Sequence, residues 1–232
     1  MLQNEILLQL EQFLGQPAGT YQVASVPGGD INQAFKVTAK GKSVFVKTNS
    51  LSLNDMLVKE VDGLACIEKA VPKSTPKIIA QGKSSTQTFL ALEWIEAIET
   101  NSSFWYNLGI NLARLHENSN DTFGFESDNY IGTLAQSNSA ERKWTDFFIN
   151  SRLEPQIQLA FNNGLLAKKH LAKFSALYNE LDSIFPLEKP ALLHGDLWIG
   201  NILCSKDGDA LFIDPSVYYG HREVDLAFTL MF

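Results

Sequence analysis

Three short apolar runs, and the polar residues strung between them, constrain this chain's fold more than any other stretch. Ala191-Leu192-Leu193 leads into His194-Gly195-Asp196-Leu197-Trp198-Ile199-Gly200-Asn201. Ile202-Leu203-Cys204 and Ala210-Leu211-Phe212-Ile213 follow, with Lys206-Asp207-Gly208-Asp209 between them. Asp-Gly flanked by short apolar runs predicts a β-hairpin. Asn201 precedes its first strand and Asp214 ends its second. Closing the hairpin therefore brings an amide oxygen and a carboxylate to its open end, where both can reach one metal ion.

Asp196, then Asn201 five residues later, then Asp214 eighteen residues after Asp196, meet the needs of phosphoryl transfer from ATP. One carboxylate, Asp196, orients the acceptor hydroxyl and takes its proton. Asn201 and Asp214 hold the magnesium ions that neutralise the triphosphate. The layout is that of the protein-kinase signature H-R-D-L-x-x-x-N followed by D-F-G, with Gly195 in place of the arginine and Asp214-Pro215 in place of Asp-Phe. The plain alternative is a loop aspartate among scattered polar neighbours. A metallohydrolase using His194-x-Asp196 is a poorer one, because His116, His170, His194 and His221 show no clustered ligand spacing.

Hydrophobic residues make up 45% of the 232 and charged residues 19%, ordinary for a soluble globular protein with a substantial core, in one large domain or two lobes. A formal net charge of −7 argues against a broad nucleic-acid or anionic-membrane surface. Cys66 falls in an expected helix and Cys204 in an expected strand, without metal-ligand spacing, which suits buried free thiols in a reducing cytoplasm. Residues 1–14 have polar residues every few positions and no basic leader. They predict an amphipathic helix, with no signal peptide and no membrane span.

Ile6, Leu7, Leu10 and Leu14 give that helix its stripe. Residues 21–26, 34–37 and 43–47 then read as a β-meander, with Pro27-Gly28-Gly29-Asp30-Ile31-Asn32 as the first turn. Glycines there let backbone N–H groups approach a phosphate, although most such turns are only turns. Lys47 is expected to end the third strand. Glu60 lies on the edge of the stripe Leu57, Val61, Leu64 and Ile67, in a helix over 54–69. Each charge alone reads as a solvated surface group. A strand lysine followed by a helix glutamate is also what a kinase needs to clamp the α- and β-phosphates, and the downstream Asp–Asn–Asp set favours that joint reading.

Further strands are expected at 78–79 and 88–94. From Ser102 or Ser103, the N-cap candidates, the pattern turns helical, with Leu108, Leu112 and Leu115 on one face. Trp144, Phe147, Phe148 and Phe161 populate another helical region, reset near Pro155. Leu171, Phe174, Leu177 or Tyr178, Leu181 and Ile184 make a stripe ending before Pro186. The aromatic residues of this half are expected in its core. The change of pattern near residue 95 predicts an N-terminal nucleotide-binding lobe, 1–95, and a C-terminal catalytic lobe, 96–232. ATP would lie between them, with Glu93, Trp94 and Ile95 offering backbone groups to adenine.

These segments resemble the fructosamine/ketosamine kinases. His194-Gly195-Asp196-Leu197-Trp198 with Gly200-Asn201 looks like that family's H-G-D-L-W-x-G-N. Ile213-Asp214-Pro215-Ser216-Val217-Tyr218-Tyr219-Gly220 looks like its I-D-P-A-V-Y-Y-G, continued by Arg222-Glu223 and Asp225-Leu226-Ala227. Pro27-Gly28-Gly29-Asp30-Ile31 and Val44-Phe45-Val46-Lys47 resemble its nucleotide-loop and lysine-strand segments. Asp128-Asn129-Tyr130-Ile131-Gly132, Trp144, Phe147-Phe148, Arg152-Leu153 and Gln156 resemble its middle region.

The resemblance implies an α+β, bilobal protein-kinase-like fold, with a β-rich N-lobe and a mainly helical C-lobe. It implies ATP- and magnesium-dependent phosphorylation of the sugar 3-hydroxyl of a ketosamine, free or protein-bound, in the cytoplasm. The labile product sheds its sugar, which is deglycation. Residue by residue, it makes Asp196 the catalytic base, Asn201 and Asp214 the metal ligands, Lys47 the phosphate-binding lysine and Glu60 its partner. Gly28, Gly29 and Asp30 fall in the nucleotide loop, His194 holds the catalytic loop, and Asp225 braces it.

The resemblance has one departure. The family continues for several helices beyond Phe232, so the C-lobe reads as truncated. Val224, Leu226, Ala227, Phe228, Leu230, Met231 and Phe232 make the last helix apolar nearly all round, and self-association through it is expected. Rival readings are a phosphotransferase of the same fold acting on an aminoglycoside, choline or homoserine, and a nucleotide-binding fragment with weak catalysis or none.

Overall fold

Alternation along a single strand organises the first part of the molecule. In β3 (Lys42–Ser50) of the computed structural model, Val44 and Val46 face one side of a sheet while Phe45 and Lys47 face the other. The structure describes residues 2–28, 31–53 and 55–231. By packing, these divide into two compact units, Met1–Asn111 with Gly200–Pro215, and Leu112–Ile199 with Ser216–Phe232. The change from strand to helix pattern near residue 95 falls inside the first unit.

The first unit holds β1 (Gln22–Val26), β2 (Gln33–Ala39), β3, β4 (Ile78–Lys83) and β5 (Gln87–Glu93) in one antiparallel sheet of order β1-β2-β3-β5-β4. On one face, Phe35, Val37, Val44, Val46, Phe89 and Ala91 pack against α1 (Asn4–Gln9) and α2 (Glu11–Leu14). The expected single N-terminal helix is thus two short ones, meeting at Leu10. Its stripe still works, because Leu2, Ile6, Leu10 and Leu14 are all buried. On the other face, Leu57 and Leu64 of α3 (Met56–Ala70) pack with Leu90 and Leu92. This is the face to which Lys47 belongs.

The predicted hairpin forms as β9 (Ile202–Cys204) and β10 (Ala210–Phe212), with Ile202 opposite Phe212. It is tied into the first unit from several directions. Phe212 N–H donates to Ser74 O at 2.7 Å and Ile98 N–H to Cys204 O at 2.9 Å. Asn107 and Asn111, on α4 (Ser102–His116), donate to Gly208 O and Ala210 O at 3.1 Å each. Neither serine proposed as the α4 cap fills that role. Asn101 Oδ1 accepts the Phe104 N–H at 2.9 Å, so the cap lies one residue earlier than expected.

In the second unit β6 (Asn129–Ile131) and β7 (Leu134–Gln136) form a hairpin. α5 (Trp144–Phe148), a π-helical turn (Ile149–Leu153) and α6 (Glu154–Asn162) follow without a gap. The expected reset near Pro155 is this irregular turn, after which α6 begins with Pro155 in its first turn. Proline has no N–H to give that turn, and Ser151 O accepts Arg152 Nη1–H at 2.9 Å. α7 (Lys168–Ile184) leads to β8 (Ala191–Leu193), which pairs antiparallel with β11 (Tyr218–Gly220); α8 (Glu223–Met231) follows. Trp144, Phe147, Phe123, Leu193 and Tyr218 form the core. Within α8, Asp225 is wholly buried while Leu226, Leu230 and Met231 are exposed. No helix among the described residues is long and apolar enough to cross a membrane.

Candidate active site

Lys47 does not end its strand and is not solvated. It sits three residues inside β3, with its side chain 7% exposed. Glu60, one turn into α3, accepts from Lys47 Nζ at 2.8 Å and is 11% exposed, so it too departs from the solvated reading. Asp214 also accepts from Lys47 Nζ. One ammonium is thus shared by two carboxylates. Burial by itself lowers the Lys47 pKa, but Glu60 and Asp214 outweigh it and raise it. Glu60 is pushed up to about 7, by burial first and by the charge of Asp214, with Lys47 opposing. The Asp214 side chain remains 41% exposed, and its backbone φ of 54° lies in the left-handed region, where a non-glycine residue is uncommon. The loop presents Asp214 toward solvent and holds it there at some conformational cost.

Asn201 lies in the 3-10 turn just before β9 and is buried. Its carbonyl accepts the Ile213 N–H at 3.0 Å, which joins the open end of the hairpin next to Asp214. An amide oxygen and a partly exposed carboxylate on adjacent chain ends are hard oxygen donors. That donor chemistry fits a magnesium ion, and the neighbouring Lys47 fits phosphate oxygens. Gly28 has φ 105°, and among the described residues nothing stands within 4 Å of where a side chain would begin. Gly29 and Asp30 lie outside the described residues. Of the adenine candidates, Glu93 already donates its N–H to Lys77 O at 2.8 Å. Trp94 Nε1–H donates to Glu96 at 2.7 Å, and Lys36 Nζ stands 4.0 Å from a Trp94 ring centroid. Ile95 is partly exposed.

The loop carrying Asp196 belongs to the second unit. Asp225, 0% exposed, accepts the His194 N–H and the Gly195 N–H at 2.9 Å each, and bonds His116 Nε2 at 2.9 Å. His194 Nδ1 accepts the Asp196 N–H at 3.2 Å, and His194 O accepts the Ser216 N–H at 2.8 Å. Gly195 has φ 82°, and a Cβ there would stand 2.0 Å from Ser216 O. No side chain fits, which explains why glycine replaces the arginine of the kinase signature. Asp196 itself is partly exposed.

Sequence reasoning missed three participants. His116 closes α4 and reaches Asp225; its only signal was a position one residue past the Leu112–Leu115 stripe. Gln136 Nε2–H donates to Ser216 Oγ at 2.6 Å, and Asn129 Nδ2–H to Val217 O at 2.8 Å. These two tether the chain that leads from Asp214 into β11, and no periodicity marks them.

The fructosamine kinase sequence profile matches residues 2–232. The chain belongs to the fructosamine kinase family. An Enterococcus faecium relative that carries the name Probable ketoamine kinase is 36% identical over 213 residues, spanning 91% of this chain and 75% of its own. The crystal structure of a Haemophilus somnus 129PT protein, described as a candidate fructosamine-3-kinase, superposes with a TM-score of 0.84 at 29% identity, covering 99% of this chain and 76% of that one. An aminoglycoside phosphotransferase, APH(4)-Ia, shares the fold alone: TM-score 0.63 at 14% identity, over 95% of this chain and 74% of that one. The fold of this fructosamine kinase family member is thus the α+β, kinase-like one, with a β-sheet N-terminal region and a helical part, and its family places it among the phosphotransferases.

Proposed function

We propose that this chain transfers the γ-phosphoryl group of ATP to the sugar 3-hydroxyl of a ketosamine, free or protein-bound, in the cytoplasm, as a step of deglycation. The observation that carries the reading is the family match over residues 2–232, within which Asp196, Asn201, Asp214, Lys47 and Glu60 are all present. Asp196 accepts the proton of the acceptor hydroxyl, which sharpens that oxygen as a nucleophile. Asp225 holds the backbone before it by two N–H bonds, so the carboxylate need not reorganise during reaction. Lys47 binds phosphate oxygens, and Glu60 keeps its ammonium in place. Asn201 and Asp214 hold magnesium. When bound, Mg-ATP supplies the phosphoryl group and neutralises its charge. The backbone at Gly28 and at residues 93–95 is assigned to nucleotide contact, together with Gly29 and Asp30. The exposed Leu226, Leu230 and Met231 support self-association, which light scattering checks.

ADP release with purified protein tests this, using fructosyl- and ribulosyl-lysine, an aminoglycoside and choline as acceptors. Turnover confined to the ketosamines, with phosphate on the 3-oxygen by NMR, is the expected result. Turnover on the aminoglycoside or choline instead would replace the substrate assignment. ATP binding without any turnover would leave a nucleotide-binding protein.

A further inference from the structure

Arg152 carries a guanidinium that the proposed chemistry does not use, and whose charge Asp128 supports. The π-helical turn at Ile149–Leu153 places it against two rings that touch each other, with Cζ 4.6 Å from the Phe147 centroid and 4.1 Å from that of Tyr218. Nη1 donates to Ser137 O at 2.7 Å and Ser151 O at 2.9 Å, and Nη2 to Asn138 Oδ1 at 2.6 Å. Asn138 is held in turn by Asp128 Oδ1, which accepts its N–H at 2.8 Å. Among the described residues, Arg152 Nε is buried with no acceptor.

This is a costly way to fill space. The half-buried guanidinium, its charge supported by Asp128, loses hydration that carbonyls and ring faces only partly replace, and an apolar side chain of similar volume would pack there with less penalty. A guanidinium offers direction instead: a planar fork with three fixed acceptors cannot slide over the rings as a methionine could. What it fixes is Tyr218. That ring is 3% exposed, sits on β11 opposite Leu193 of β8, and lies 3.3 Å from where a Cβ on Gly195 would stand. Gly195 immediately precedes Asp196.

We propose that Arg152 is a positioning residue for the catalytic loop, its guanidinium clamping Tyr218 against Gly195 so that Asp196 is presented in one place. The proposal rests on the kinase reading above. Lysine at 152 keeps the charge and loses the fork, so Arg152→Lys should not rescue. A misplacement of about 1 Å can cost about 10²-fold in rate.

Arg152→Lys and Tyr218→Leu are therefore expected to lower kcat by about 10- to 100-fold, with the nucleotide Kd, measured directly, within about two-fold of wild type. Asn138→Ala, which removes one acceptor of the fork, should lower kcat in the same pattern by a smaller factor, and it serves if the larger changes prevent folding. Hydrogen exchange of the 194–196 amides provides a second readout that needs no turnover, and faster exchange in Arg152→Lys is expected. A folded Arg152→Lys protein with native kcat would overturn the proposal, whatever its melting temperature. So would unchanged exchange at 194–196. If the wild type phosphorylates no ketosamine, the functional reading fails, and the exchange experiment still decides the clamp.

Discussion

Asp214 and Asp225 are both aspartates with short-range partners, yet their surroundings have opposite characters. Asp225 is sealed: no part of it is exposed, and its oxygens are taken by two backbone N–H groups and one imidazole. Asp214 is shared: it competes with Glu60 for one ammonium and leaves 41% of its side chain in solvent. A carboxylate satisfied by backbone donors in a dry site has no better partner to move to, so it holds geometry. A carboxylate that divides a cation with a second carboxylate, at a solvent-facing edge, has bonding capacity left for a ligand. The two aspartates thus separate the fixed from the exchangeable part of the machinery.

The sharpest way to break this contrast is Asp225→Ala. It strands two buried N–H groups and His116, which should cost about 3 kcal/mol or more of stability and abolish turnover together. Denaturant unfolding with activity on the same sample checks it; a stable, active variant would mean that the sealed site is not a brace. Asp196→Asn should lose turnover by about 10² to 10⁴-fold with ATP affinity nearly unchanged, since the general base proposed here would act on the acceptor. Direct nucleotide titration beside single-turnover rates tests that separation. Asp214→Ala is expected to abolish the magnesium dependence of nucleotide affinity, with Asn201→Ala milder, because a carboxylate brings a full charge and an amide only a dipole. Equal magnesium titrations in both variants would remove the distinction.

Smaller, Lys47→Met should lower kcat/KM for ATP more than Glu60→Gln does, since in the proposed function only Lys47 would touch phosphate. The smallest effect is on pH. Glu60, raised by burial to about 7, binds its proton more tightly folded than unfolded. Its contribution to stability is therefore full below the unfolded carboxylate value and is lost as pH rises through about 7. Melting temperatures of Glu60→Gln should show a flatter pH dependence across that window than wild type; identical profiles would mean that Lys47 keeps Glu60 ionised throughout.

Much of this was legible in the chain. The Asp–Asn–Asp spacing, the hairpin between Asn201 and Asp214 and the helical stripes are local signals, because turn chemistry and periodicity act over a few residues. Other features were not. Taken alone, Lys47 reads as a surface charge and only the downstream Asp–Asn–Asp set favours its pairing with Glu60, because nothing near it in sequence shows that α3 will cover its face of the sheet. The cap of α4 shifted to Asn101, since several polar neighbours compete for one backbone donor and geometry chooses. Pro155 signalled a reset in the helical region, but the π form of the turn before it left no pattern.

The sequence by itself determined the types and order of the reactive groups, because family motifs and spacing reside in residue identity. Only the tertiary structure decided which charges are shared and which are sealed. That difference depends on burial and on partners far along the chain, Asp214 for Lys47 and Asp225 for Gly195, and low-dielectric surroundings give such meetings their strength.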